Sequence, residues 1–148
     1  AHKCFENFRP GGMRVHEGSE ILEPGIEQHD FEEIHKKGVW LAKAGFGAVK
    51  TPFDYAPMVQ AARRAGLITT VHTGGASIPG SSAITGEHLM EMQPHVSFHI
   101  NGGPVAMPEE HFEMIALQSD IAMQVCTAGN LRTMIKLANI AVEYDVFH

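Results

Sequence analysis

Three side chains capable of metal or acid–base chemistry stand at the ends of apolar segments of the sequence. His72 and His99 each follow a short, largely apolar run and are closely followed by two glycines, and Lys43 lies near the end of another such run. Imidazole is both a common metal ligand and an acid–base group near neutral pH. Parallel α/β folds present such groups from the carboxyl ends of their strands, beside glycine-rich turns. The pattern therefore predicts a site at one edge of a parallel sheet.

The combination of two histidines with a lysine permits more than one chemistry. Two histidines and an anionic bridging group would form half of a two-metal hydrolase site. A lysine ammonium cannot ligate a metal, but CO2 can add to a neutral, partly buried amine to give a carbamate that bridges two ions. Lys43 could instead form a Schiff base in a barrel lyase. The residue types alone leave both interpretations open.

The elements that must position these residues alternate regularly along the chain. Strands are predicted at residues 13–22, 39–44, 67–73, 95–100 and 121–126, and helices at residues 27–37, 54–65, 85–92, 108–118 and 131–144. The repeat of about 30 residues is typical of βα units in a barrel or an open doubly wound sheet. The predicted fold class is therefore α/β with about five βα units; if the parent fold is a TIM-type (β/α)8 barrel, these units form a partial barrel.

Composition excludes several classes of function. The chain has 148 residues, 44% of them hydrophobic, and a net charge of −6 with acidic and basic residues interspersed. Without a basic stripe or a long apolar run, neither nucleic acid nor a membrane is an expected partner. The two cysteines, Cys4 and Cys126, are too far apart in sequence to suggest a disulfide framework, so a reducing cytoplasmic location is predicted.

Several motifs resemble the enamidase-type branch of the amidohydrolase superfamily. They are Gly38-Val39-Trp40, Ala56-Pro57-Met58-Val59, the HTGG of residues 72–75, the SIPGSS of residues 77–82 and the HINGGP of residues 99–104. The resemblance implies a metal-dependent (β/α)8 barrel that hydrolyses C–N bonds, often in cyclic amides. It also implies a divalent metal centre of Zn and/or Fe, binuclear in the complete enzyme, and a small-molecule cyclic amide as substrate.

The same resemblance implies roles for individual residues. His72 corresponds to the metal ligand of the fifth barrel strand and His99 to that of the sixth, while Lys43 falls at the bridging carboxylate on the fourth. These three are therefore the implied catalytic and metal-binding residues. The residues implied to shape the substrate pocket are Thr73, Gly74, Asn101, Gly102 and Gly103.

Other features of the family have no counterpart in the sequence. There is no His-x-His motif for the first strand, and the aspartate of the last strand is also missing. The resemblance thus implies that residues 1–148 form one partial barrel domain, equivalent to strands three to seven, with little activity by itself. Two open sheet edges would favour association between copies, so a homo-oligomer is predicted. A non-catalytic half-barrel that assembles with itself is the remaining alternative.

Overall fold

The computed structural model describes residues 12, 16–76, 78–101, 107–126 and 129–144. Its strands are β1 (Gly18–Ile21), β2 (Leu41–Ala44), β3 (Ile68–His72), β4 (Val96–Phe98) and β5 (Ala122–Met123). Its α-helices are α1 (Gln28–Lys36), α2 (Ala56–Arg64), α3 (Gly86–Met92), α4 (Glu109–Gln118) and α5 (Leu131–Glu143), and a short 3-10 helix (Pro52–Tyr55) leads into α2. Each strand is followed by a helix, so the predicted alternation is confirmed.

The strands form a single parallel sheet in the order β1-β2-β3-β4-β5. Parallel neighbours that are consecutive in sequence require a helical crossover between them, which each intervening helix supplies. The predicted α/β class with five βα units is therefore confirmed. All carboxyl ends of the strands lie along one edge of the sheet, here called the carboxyl edge.

The two faces of the sheet differ in burial. One face presents small or branched side chains that are fully buried, including Ile21, Ala44 and Val71, and the helices pack over it. The opposite face, here called the inner face, carries the alternate residues of each strand. Its members are Gly18, Glu20, Leu41, Lys43, Ile68, Thr70, His72, Val96, Phe98 and Ala122. In a closed barrel this face points inward, and here Ile68 is 38% exposed.

Each α-helix contributes at least one side chain to a common hydrophobic core. The buried residues Phe31, Val59, Leu89, Ile115 and Leu137 come from α1 to α5 in turn. Burial of one apolar stripe per helix holds the helical layer on the sheet and so holds the strands in register. Among the described residues, no helix is both long and apolar enough to span a membrane.

Two histidines cap the N-terminus of α3, which connects β3 to β4. The backbone N–H of Thr85 donates to Nδ1 of His88 (3.0 Å), and that of Gly86 donates to Nδ1 of His111 (3.2 Å). Each Nδ1 must be unprotonated to accept, and a positive charge here would also oppose the helix dipole. Burial lowers the pKa of His88; the charge of Glu87 raises it, and that of His111 lowers it further.

We predict that the His88→Gln variant loses less free energy of unfolding in acid than the wild-type chain does. The pKa of His88 is lower in the folded chain than the value of about 6.5 expected when unfolded. The contribution of neutral His88 to the free energy of unfolding is therefore complete above about pH 6.5. It is lost as the pH falls towards the lower pKa that His88 has in the folded chain. Glutamine at this position can accept the same N–H bond without titrating. Urea unfolding at a series of pH values measures the effect.

The control is His29→Gln, which replaces an exposed histidine of α1. It is expected to keep the pH dependence of the wild-type chain. The prediction is wrong if His88→Gln also shows the wild-type loss of stability below about pH 6.5.

Candidate metal centre

His72 and His99 meet at the carboxyl edge of the sheet. Nδ1 of His72 lies 3.1 Å from Nε2 of His99, and the ring centroids are 4.6 Å apart. His72 is the last residue of β3 and is 6% exposed, whereas His99 directly follows β4 and is half-buried. The structure thus brings together the two histidines that the sequence singled out.

A backbone carbonyl sets the orientation of the His72 ring. Nε2 of His72 lies 2.9 Å from the carbonyl oxygen of Gly75, which can only accept a hydrogen bond. Nε2 therefore carries the proton, and in the neutral ring Nδ1 accepts the hydrogen bond from Nε2 of His99. Metal-ligating histidines typically donate their other N–H to a carbonyl or a carboxylate in this way.

A left-handed backbone conformation directs His99 towards His72. Side chains alternate between faces along a strand, so continuing β4 would place residues 98 and 99 on opposite faces. The φ of His99 is +40°, which ends this alternation immediately after Phe98. A non-glycine residue at positive φ is strained, and such strain is concentrated at functional sites.

Burial and charge favour the neutral form of His99. Desolvation lowers the pKa of His99 most, and the nearby His72 and Lys43 lower it further. Hydrogen bonds to backbone groups of His99 and Thr73 act in the opposite direction. A neutral imidazole is the form that binds a metal ion.

The paired nitrogens fit a divalent metal ion. Two ligands that each lie about 2.0–2.1 Å from one ion are separated by about 2.8–3.0 Å in octahedral geometry and by about 3.3–3.4 Å in tetrahedral geometry. The observed separation of 3.1 Å lies between these two values. Within the described part of the chain, no group of three or more His, Cys, Asp and Glu side chains could hold a metal ion. A metal ion at this position would therefore need ligands besides the histidine pair.

Lys43 lies on the same inner face, held between two aromatic rings. Its Nζ is 4.5 Å from the centroid of Phe46 and 5.2 Å from that of Phe98. The Phe46 ring also contacts His72, at a centroid distance of 4.9 Å. Aromatic faces attract cations, and the two rings offer such faces to the end of the Lys43 side chain. A carbamate is an anion and would have to turn away from both rings.

The residues expected to shape a substrate pocket are held by the fold itself. Thr73 is buried, and its hydroxyl lies 2.6 Å from that of Ser97. Gly74 exchanges two backbone hydrogen bonds of 2.9 Å with Ile84. Asn101 is buried and hydrogen-bonded to the backbone of Cys126. Gly102 and Gly103 lie outside the described residues.

Sequence reasoning missed four residues that surround the histidines: Phe46, Gly75, Phe98 and Gln124. Phe46 and Gly75 were visible only as parts of glycine-rich turns, and Phe98 only as a strand residue. Gln124, which bonds to His99, follows the shortest strand and carries no motif. Only the three-dimensional register places these residues beside the histidine pair.

A parallel βα sheet that gathers polar side chains at its carboxyl edge is the arrangement of (β/α)8-barrel enzymes. Comparison with known proteins points to a particular relative. The chain is 42% identical to the enamidase of Eubacterium barkeri over 142 residues, which cover 95% of this chain and 37% of that enzyme.

The solved structures point to the same protein. The crystal structure of enamidase, reported as a new member of the amidohydrolase superfamily, matches with a TM-score of 0.84 and 41% identity, over 97% of this chain and 38% of that one. No protein-family model matches. The predicted resemblance is confirmed: the chain is a homologue of enamidase and spans a little over a third of its length.

We predict that Gly45→Ala destabilises the chain more than Gly25→Ala does. Both glycines have positive φ, +117° and +97°, so both substitutions introduce backbone strain of about 1–3 kcal/mol. A Cβ at residue 45 would also lie 2.6 Å from Cβ of His72, whereas at residue 25 it would meet nothing within 4 Å. Overpacking of this kind costs about 1–3 kcal/mol more.

Urea unfolding of the two variants measures this difference. Both variants carry the backbone strain, but only Gly45→Ala adds the close contact with His72. Equal losses of unfolding free energy in the two variants would show that the contact between residue 45 and His72 is not tight.

Proposed function

We propose that this chain supplies one half of the metal centre of an enamidase-like amidohydrolase, which hydrolyses a C–N bond of a cyclic amide. The observation that carries the proposal is the 3.1 Å approach of His72 Nδ1 to His99 Nε2, with the other nitrogen of His72 bonded to Gly75. The match to enamidase supports the class of reaction. His72 and His99 would hold a divalent ion, Zn or Fe, and such an ion supplies Lewis-acid activation of water and of the amide carbonyl.

Different residues of this chain set the proton position of His72, the charge of His99 and the shape of the proposed substrate pocket. The Gly75 carbonyl keeps the proton on Nε2 of His72, which leaves Nδ1 available to the ion. Burial keeps His99 neutral near pH 7, as its lowered pKa indicates. Thr73, Gly74, Asn101, Gly102 and Gly103 are proposed to shape the substrate pocket, with the first three acting through backbone positions that the fold holds in place.

Lys43 has two proposed roles that depend on its charge. As a carbamate it would provide the anionic bridge between two ions that the family resemblance implies. As an ammonium between Phe46 and Phe98 it places a positive charge beside the histidine pair, where it lowers the pKa of His99. The aromatic contacts favour the second role unless metal binding draws the lysine away from the rings.

We predict that the chain binds Zn²⁺ through the histidine pair. His72→Ala and His99→Ala are each expected to weaken Zn²⁺ binding at least about tenfold, because each removes one of two nitrogen ligands. His95→Ala is the matched control: its ring accepts the Thr69 backbone N–H (3.0 Å), away from the carboxyl edge. Competition with a chromophoric chelator measures the affinity.

Equal Zn²⁺ binding in the wild-type chain and both site variants would contradict the proposed metal centre. No Zn²⁺ binding by the wild-type chain, together with an obligate oligomer in sedimentation, would favour a second candidate function. That candidate is a non-catalytic half-barrel that assembles with itself, and the exposure of Ile68 on the inner face favours it.

We predict that Lys43 becomes carboxylated only when metal is present. With ¹³C-bicarbonate and Zn²⁺, a carbamate carbon signal is expected in the wild-type chain and in Lys50→Ala, and is expected to be absent in Lys43→Ala. Metal cations favour the neutral amine that reacts with CO2. Borohydride trapping of Lys43 with a carbonyl substrate, with no carbamate signal, would instead identify a Schiff-base lysine.

A further inference from the structure

The strained conformation of His99 needs groups that hold it. His99 is one of two non-glycine residues with positive φ in the described part of the chain, and the other, Gln93, is the C-cap of α3. A helix C-terminus accommodates a left-handed residue routinely, whereas a strand end does not. The contacts of His99 with β5 and the residues after it therefore require an explanation.

Gln124, the residue after β5, makes those contacts. Its backbone N–H donates to the carbonyl of Ser97, and its own carbonyl accepts from the N–H of Ile100, both at 2.9 Å. Between these two ladder bonds, the side-chain Oε1 of Gln124 accepts from the backbone N–H of His99 at 3.2 Å. The side chain of Gln124 thus supplies an acceptor to the backbone N–H of His99, which has no place in the hydrogen-bond ladder between β4 and β5.

Asn101 secures the other side of the turn. Its Oδ1 accepts from the N–H of Cys126 (2.8 Å), and its Nδ2 donates to the carbonyl of Cys126 (2.9 Å). The carbonyl of Asn101 also accepts from the N–H of Asn130 (2.8 Å), at the start of α5. Residues 99–101 are therefore held to the segment after β5 from both ends.

We propose that Gln124 is a positioning residue for the metal centre. Its side-chain carbonyl holds the left-handed backbone of His99, and that backbone directs Nε2 of His99 to within 3.1 Å of His72 Nδ1. Gln124 acts through the backbone of a ligand and is not itself a ligand. The proposal rests on the proposed function, because the ring pairing it explains is the proposed half-site.

The test compares Gln124→Met, which keeps the length but removes the acceptor, with Gln124→Glu, which restores an acceptor oxygen. Gln118→Met makes the same change at an exposed glutamine at the end of α4. The expected result is about tenfold weaker Zn²⁺ binding in Gln124→Met, recovery in Gln124→Glu and no change in Gln118→Met. If Gln124→Met does not fold, Gln124→Asn, which withdraws the acceptor by one methylene, takes its place.

A second measurement does not depend on metal. In the metal-free chain with ¹⁵N-labelled histidine, nitrogen–nitrogen coupling across the His72–His99 hydrogen bond is expected in the wild type and is expected to be lost in Gln124→Met. Coupling that behaves this way in a chain that binds no Zn²⁺ would support the positioning role and contradict the metal centre. Unchanged coupling and affinity in Gln124→Met, or no coupling even in the wild type, would overturn the positioning role.

Discussion

The parallel pairing of β3 with β4 determines where the two histidines stand. Their register sets His72 opposite Phe98, so the next residue of β4 reaches the carboxyl edge at the level of His72. A shift of this register by one residue would exchange the two faces and remove one ring from the edge. Ser97 and Val71, which are register partners, are completely buried on the helical face. The packing of the helices thus fixes the register that the site depends on.

The electrostatics of the carboxyl edge depends on two groups: the imidazole pair of His72 and His99, and the nearby Lys43. Two histidines in contact and a nearby lysine form a group that would carry three positive charges if all were protonated. Two different features reduce the repulsion between these charges. One is the burial of His99, and the other is the pair of π faces around Lys43. Desolvation lowers the pKa of His99, because burial penalises its charged form, whereas the π faces of Phe46 and Phe98 attract the Lys43 side chain. A cation entering the edge would meet the lone pair of His72 Nδ1 and would displace the proton that Nε2 of His99 donates to it.

The sequence predicted the fold and the pairing of the histidines because both follow from local patterns. Short apolar runs, glycine-rich turns and amphipathic helices define βα units, and parallel βα units bring their strand ends together. The turn at His99 could not be predicted, since its backbone N–H bonds to the side chain of Gln124, which follows β5 and lies 25 residues away. The cation–π contacts of Lys43 were equally inaccessible, because Phe98 belongs to a different strand. The motif resemblance identified the relative, but it carried no information about the charge of Lys43.

The double hydrogen bond between Asn101 and Cys126 has a consequence for the order of folding. The bond closes a loop of 25 residues and links the segment after β4 to the segment after β5. Contacts within each βα unit are local and can form early, whereas this closure waits for β5 and α5 to dock. The sheet can therefore acquire β3 and β4 before His99 has its final geometry. The geometry of the His72–His99 pair thus depends on a βα unit that lies further along the chain than either histidine.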